Sequence, residues 1–229
     1  MKSPAGAPSS RPPEPKLTEL ELFPLSNGLF PDGKLVLQIF EVRYLDLIKQ
    51  CQREGQPFGV VMLHQGREVQ QAGVMETPST WGCLAHLEAV EHIQPALLRV
   101  VCRGGQRFQL LQVERGAYGR WHGQARMADP DPAVAIPPLL QPLADRLGQL
   151  IADAQRRGVE ALLPLATPYR LDEAGWVANR WAELLPLAVP FKEHLLSTDD
   201  PLKRLELVAQ VVKSSAQGAQ DGDASDGGE

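Results

Sequence analysis

Leu20 and Leu22, followed by Phe23-Pro24-Leu25, make a short apolar segment, and Leu35, Leu37 and Ile39 alternate with Val36 and Gln38 before Phe40. Period-two runs of this length predict two strands. The period then changes: between residues 41 and 54, Tyr44, Leu47, Ile48 and Cys51 share one helical face. Glu41 stands at the positive end of that helix and Gly55 is placed to stop it. Further strands are predicted over residues 58–63, 82–91, 97–102 and 107–114, with Arg103-Gly104-Gly105-Gln106-Arg107 as a hairpin whose glycines supply positive φ. The clearest alternation runs from Arg120 to Met127, with Trp121, Ala125 and Met127 on one face and Arg120, His122, Gln124 and Arg126 on the other. Strands this short and frequent suggest a small barrel or folded sheet.

Asp129-Pro130-Asp131-Pro132 and Pro137-Pro138 interrupt the strand pattern, and a helical period follows. Leu139, Leu143, Leu147, Leu150 and Ala154 lie on one stripe that ends near Gly158. A second helix fits residues 172–185, with Val177, Trp181, Leu184 and Leu185 inward, and a brief third fits 191–196. The last opens with Asp200 as N-cap and Pro201 at the first helical position, and buries Leu202, Leu205, Val208 and Val212. The fold class is therefore α+β, with a β-rich lobe carrying one helix over 17–128 and a small helical bundle over 135–213. Residues 1–16, rich in proline, and the acidic tail 214–229 have compositions that cannot offset the entropy of ordering, so both are expected to be disordered.

Composition narrows function. Of 229 residues, 43% are hydrophobic, enough for a sizeable core, and the net charge of -5 gives no general attraction to phosphate backbones or anionic lipid. Nucleic acid is disfavoured as a partner. No apolar run approaches the roughly 20 residues of a spanning helix and no signal segment opens the chain, so a cytoplasmic protein is expected. Cys51, Cys83 and Cys102 fit neither a disulfide frame nor a CxxC zinc site and are expected to be buried free thiols.

Candidate chemistry is sparse. Gly28 to Lys34 has the spacing of a phosphate loop, but Leu35 replaces the magnesium-binding hydroxyl and starts a strand, so Pro31-Asp32-Gly33 reads as a turn. Among the histidines there is no HxxxH or HxH pair, and His86, three residues after Cys83, faces the opposite way on a strand. No metal or cofactor is expected. GxSxG and HExxH are absent. Arg103, Arg107, Arg120 and Arg126 offer a basic strip for RNA as an alternative reading. Glu41-Val42-Arg43-Tyr44 suggests a charge pair beside an aromatic that fixes the strand-to-helix junction.

These residues also resemble a family. Leu22-Phe23-Pro24-Leu25, Leu29-Phe30-Pro31-Asp32-Gly33 with Leu35 and Leu37, and Ile39-Phe40-Glu41-Val42-Arg43-Tyr44 look like the opening of the Lon protease N-terminal (substrate-binding) domain. Phe58-Gly59-Val60-Val61, Gly105-Gln106-Arg107-Phe108, Trp176-Val177-Ala178-Asn179-Arg180, Leu184-Leu185-Pro186-Leu187, Lys192 with Leu195-Leu196, and Asp200-Pro201 with Arg204-Leu205 extend the resemblance over 17–213. The family's Val-Gly-Thr turn is not evident near Gly73, and Gln94-Pro95 stands where Asp-Gly is usual.

The resemblance implies a PUA-like lobe followed by helices, and a non-catalytic module that recognises unfolded or exposed polypeptide segments. It places candidate binding residues at Phe23, Pro24, Phe30, Pro31, Glu41, Arg43, Tyr44, Arg107 and Phe108, positions that equally suit packing. The ATPase and peptidase modules of Lon are not in this chain, so proteolysis would need a separate ATP-dependent protease, with this chain as its subunit or adaptor.

Overall fold

The computed structural model describes residues 17–65 and 77–223. The predicted N-terminal arm, the position near Gly73 and residues 224–229 lie outside them. Strands β1 (Leu17–Leu25), β2 (Lys34–Ile39), β3 (Phe58–Gln65), β4 (Thr77–Gln94), β5 (Leu97–Arg115) and β6 (Trp121–Met127) form a six-stranded sheet in the order β2-β5-β4-β3-β1-β6. A further β5–β6 pairing closes β1, β3, β4, β5 and β6 into a barrel and leaves β2 outside it on the flank of β5. Among the described strands only the β1–β3 pair is parallel.

The expected hairpin at residues 103–107 is not there. β5 runs unbroken through Gly104 and Gly105, neither of which has positive φ. Its first half pairs with β2 and β4, and its second half with β6. The glycines serve close approach instead: a Cβ on Gly104 would overlap the Phe30 carbonyl oxygen, and one on Gly105 would lie 2.5 Å from His86 Nε2. Asp32 N donates to Gly104 O and Gly104 N to Gly33 O, both at 2.8 Å, so the 30–33 turn is clamped to β5. That turn has the form the sequence suggested, with Gly33 N donating to Phe30 O and Asp32 at φ 62°. Because the overlapped atom is backbone, Gly104→Ala is expected to cost about 1–3 kcal/mol of stability, measured by urea denaturation.

Helix α1 (Val42–Glu54) buries Tyr44, Leu47, Ile48 and Cys51, and stops at Gly55, whose φ is 63°. This face packs with Phe58, Val60, Leu98 and Val100 in one core, while Leu22, Val61, Phe108 and Ala125 build another. Helices α2 (Gln141–Arg156), α3 (Ala174–Leu184), α4 (Val189–Ser197) and α5 (Pro201–Asp223) make the second half, with α3 enclosed along nearly its whole length. Their core takes in Phe30 and Met62 from the β half, which ties the two halves together. Leu139, assigned to the α2 stripe, precedes that helix and is 81% exposed. Asp200 caps α5 as expected, accepting from Leu202 N at 2.9 Å and Lys203 N at 3.3 Å. α5 runs to Asp223, past residue 213 where the bundle is expected to end.

Candidate functional site

The polar chemistry of the molecule gathers where the barrel meets the helices. Arg107 rises from the middle of β5 and is almost fully buried. Its Nη1 donates to the carbonyls of Leu196 (2.5 Å) and Thr198 (3.4 Å), and its Nη2 to Asp131 (3.1 Å) and Asp199 (3.2 Å). Arg204 on α5 reaches the same carboxylate: Nη1 donates to Asp131 Oδ2 at 2.5 Å and Nη2 to Oδ1 at 3.1 Å. Arg204 also donates to Asn179 Oδ1, Leu195 O and Thr198 O. Asp131 thus bridges two buried guanidinium groups from opposite halves. Burial and the nearby Arg204 together hold Arg107 below the ordinary arginine range. Pro130 and Pro132 restrict the backbone on either side of Asp131, which favours an extended connection between the halves.

A second ionic pair lies on α3. Arg180 and Glu183, one turn apart, are both enclosed and meet at 3.1 Å. Glu183 Oε1 accepts from Phe30 N at 2.9 Å, Arg180 Nη2 donates to Pro31 O at 2.8 Å, and Lys192 Nζ donates to Asn27 Oδ1 at 2.5 Å. The helical half therefore holds the loop between β1 and β2 by three polar side chains. Burial pushes the Glu183 carboxyl up to about 7, against the pull of Arg180 and the Phe30 amide. Arg180 Nε and Nη1 and Glu183 Oε2 have no hydrogen-bond partner among the described residues. On α4, Glu193 accepts from Thr80 N (2.6 Å), Thr80 Oγ1 (2.7 Å) and Trp81 N (3.2 Å), and lies 2.5 Å from His64 Nε2. Burial pushes this carboxyl up, but the bonds from Thr80 and His64 prevail and hold it below its usual range.

Two hollows open at this junction. One, of about 300 Å³, is lined by Pro31, Asp32, Arg107, Asp131, Arg170 and Trp176 among others, with the Arg170–Asp32 ion pair on it. The other, of about 230 Å³, runs beside β2 and is lined by Leu25, Leu29, Leu35, Leu37 and Pro164 together with the polar Asn27, Lys34 and Glu183.

Of the residues singled out from the sequence, Pro31 and Arg107 line the first hollow. The others are mostly packing. Phe23 stacks on Tyr44 with ring centroids 4.0 Å apart, and Arg43 lies over the Tyr44 ring, pairs with Glu41 at 2.8 Å and donates to Gly119 O at 2.8 Å. Phe23, Glu41, Arg43 and Tyr44 therefore meet at the start of α1. Pro24 is buried within β1, and Phe30 and Phe108 are wholly enclosed in different cores. The arginine strip does not form. Arg107 is buried, while Arg103 pairs with Glu88 at 2.5 Å and Arg120 with Glu21 at 2.8 Å. Sequence reasoning met Asp131 only as part of a strand break and Arg180 and Arg204 only as family-motif positions, gave them no place in a site, and missed Glu183. The available signal was polar residues at inward helical positions, Arg180 and Glu183 beside Trp176 and Val177, and Arg204 beside Leu205.

The thiols are poor nucleophiles. All three cysteines are free and buried, and burial pushes Cys51 up to about 11, Cys102 up to about 12 and Cys83 higher still. Among the described residues, no group of three or more His, Cys, Asp and Glu side chains is placed to hold a metal ion, and no helix is long and apolar enough to cross a membrane.

Comparison with known proteins bears on this arrangement. The family model described as the ATP-dependent protease La (LON) substrate-binding domain matches residues 19–214. Among solved structures, a Lon N-terminal domain protein from Xanthomonas campestris is similar over 84% of this chain and 98% of its own, with 30% identity and a TM-score of 0.66. The N-terminal domain of the Mycobacterium avium complex Lon protease is similar over 84% of this chain and 97% of its own, at 16% identity and a TM-score of 0.51, a likeness of fold. No curated protein sequence matches.

Proposed function

Because this chain belongs to the Lon substrate-binding domain family, we propose that it binds exposed segments of other polypeptides and performs no chemistry on them. The observation that supports this reading best is a pair of hollows, formed in advance, at a junction fixed by buried ion pairs. A site held rigid before the ligand arrives spends little binding energy on its own ordering. The leucines and proline on one hollow suit apolar side chains, and the ionic walls of the other suit the polar backbone of the same segment. Hand-over of the bound segment to a separate ATP-dependent protease is the finer form of the proposal, supported by the description of the family.

An array of overlapping peptides from unrelated proteins tests it. The full chain is expected to be retained by apolar, extended peptides and not by charged ones. Retention at background on every peptide would remove the proposal.

A further inference from the structure

The hollow beside β2 borders a strand edge with unused backbone. Among the described residues β2 is the end strand of the sheet and pairs only with β5, in a register free of bulges from Lys34↔Arg103 to Ile39↔Leu98. Gly33 O accepts from Gly104 N on β5, whereas Lys34 N points the other way and donates to Pro164 O at 3.2 Å. In an antiparallel strand the N–H and C=O groups alternate sides with period two. The groups of Leu35, Leu37 and Ile39 therefore enter the ladder with β5, and those of Val36 and Gln38 point outward.

Among the described residues the edge is occupied only at its start. Residues near Leu165 bridge antiparallel to Gly33 and supply the Pro164 carbonyl to Lys34. Just before them, a 3-10 turn at Glu160–Leu162 takes the chain out of extended conformation, so this pairing cannot continue along β2. Val36 and Gln38 are exposed, and among the described residues nothing outside the sheet hydrogen-bonds to their backbone. Natural edges are usually blunted by charge, proline or a bulge. Val36-Leu37-Gln38 has none of these.

We infer that the open edge of β2 receives one extended segment of a client polypeptide by strand addition. Outward amides and carbonyls at every second residue match a peptide backbone and no lipid or nucleic acid, and the chain's own 164–165 segment already shows that partner in place at Gly33 and Lys34. Alternate side chains of the guest would continue the row of Leu35 and Leu37 into the hollow walled by Leu25, Leu29 and Pro164. Apolar residues at every second position are thus the chemistry selected. This inference rests on the polypeptide-binding reading and gives it a location.

Amide hydrogen exchange, followed by NMR on the full chain with reduced, carboxymethylated lactalbumin as the unfolded client, tests it. At saturation, exchange at Val36 and Gln38 is expected to slow at least tenfold, while Leu35 and Leu37, already in the ladder, change little. Val36→Pro removes one outward N–H without touching the β5 ladder, and is expected to weaken client binding at least fivefold with thermal unfolding unchanged. If that variant unfolds, the exchange measurement on the unaltered chain decides. Client binding with Val36 and Gln38 unchanged would overturn the β2 site and leave the general reading standing, whereas absence of binding would overturn both. Protection that grows with protein concentration in the absence of client would place a second copy on the edge and also overturn the inference.

Discussion

Asp131→Ala is expected to lower the free energy of unfolding by about 3 kcal/mol, the lower end of the usual cost of removing one partner from a buried ion pair, because Asp131 is itself partly exposed. Asp131 is the carboxylate shared by Arg107 and Arg204, whose side chains are 2% and 0% exposed. Without it, two buried guanidinium groups face each other, and burial and mutual repulsion, which already depress Arg107, are opposed only by the exposed Asp199. Asp131→Asn keeps the shape and removes the charge, so most of the loss should persist. Asp199 provides the control. It also contacts Arg107, but its side chain is 79% exposed, and an exposed ion pair contributes about 1 kcal/mol or less. Urea denaturation checks both: the midpoint should fall sharply for Asp131→Ala and hardly move for Asp199→Ala.

Glu183 is expected to make stability fall as pH rises. Its folded-state pKa, about 7, lies above the ordinary value of 4.5 because burial disfavours the carboxylate. Between those values the folded chain binds more protons than the unfolded one, so unfolding free energy declines with pH. The stabilisation is complete below about 4.5 and is lost as pH passes through 7. One proton corresponds to at most about 1.4 kcal/mol per pH unit, or roughly 3 kcal/mol across the window. Glu183→Gln retains an oxygen for the Phe30 amide and does not titrate. The difference in stability between the unaltered chain and Glu183→Gln should therefore shrink as pH rises from 4.5 to 7, measured by denaturation at fixed ionic strength. The difference is the proper quantity because Glu193, held below its usual range, contributes stability that is lost on the acid side instead. A difference that does not vary with pH would show that Glu183 stays ionised throughout.

Local signals foretold the fold well where one segment decided its own structure. The alternation of Leu35, Leu37 and Ile39, the apolar face of α1 with Gly55 beyond it, and the Asp200-Pro201 start of α5 all appear as the residues imply. Gly104 and Gly105 misled, because paired glycines suggest a turn while here they make room for Phe30 and His86. That need comes from a distant segment and leaves no local trace. The junction was least legible for the same reason: Arg107 and Asp131 belong to the β half and the linker, Arg204 to the last helix, and Phe30 is bound by Glu183 across the two halves. The family motif at Phe23, Arg43 and Tyr44 marks the packing of α1 on β1 rather than an open surface.

The most direct measurement is fluorescence anisotropy of labelled carboxymethylated lactalbumin titrated with the purified chain, followed by the mass of the recovered client. A saturable rise is expected with the unfolded client and none with native lactalbumin, and the client should return at its full mass. No rise with the unfolded client, or recovery of the client as fragments, would contradict a module that holds polypeptides without cutting them.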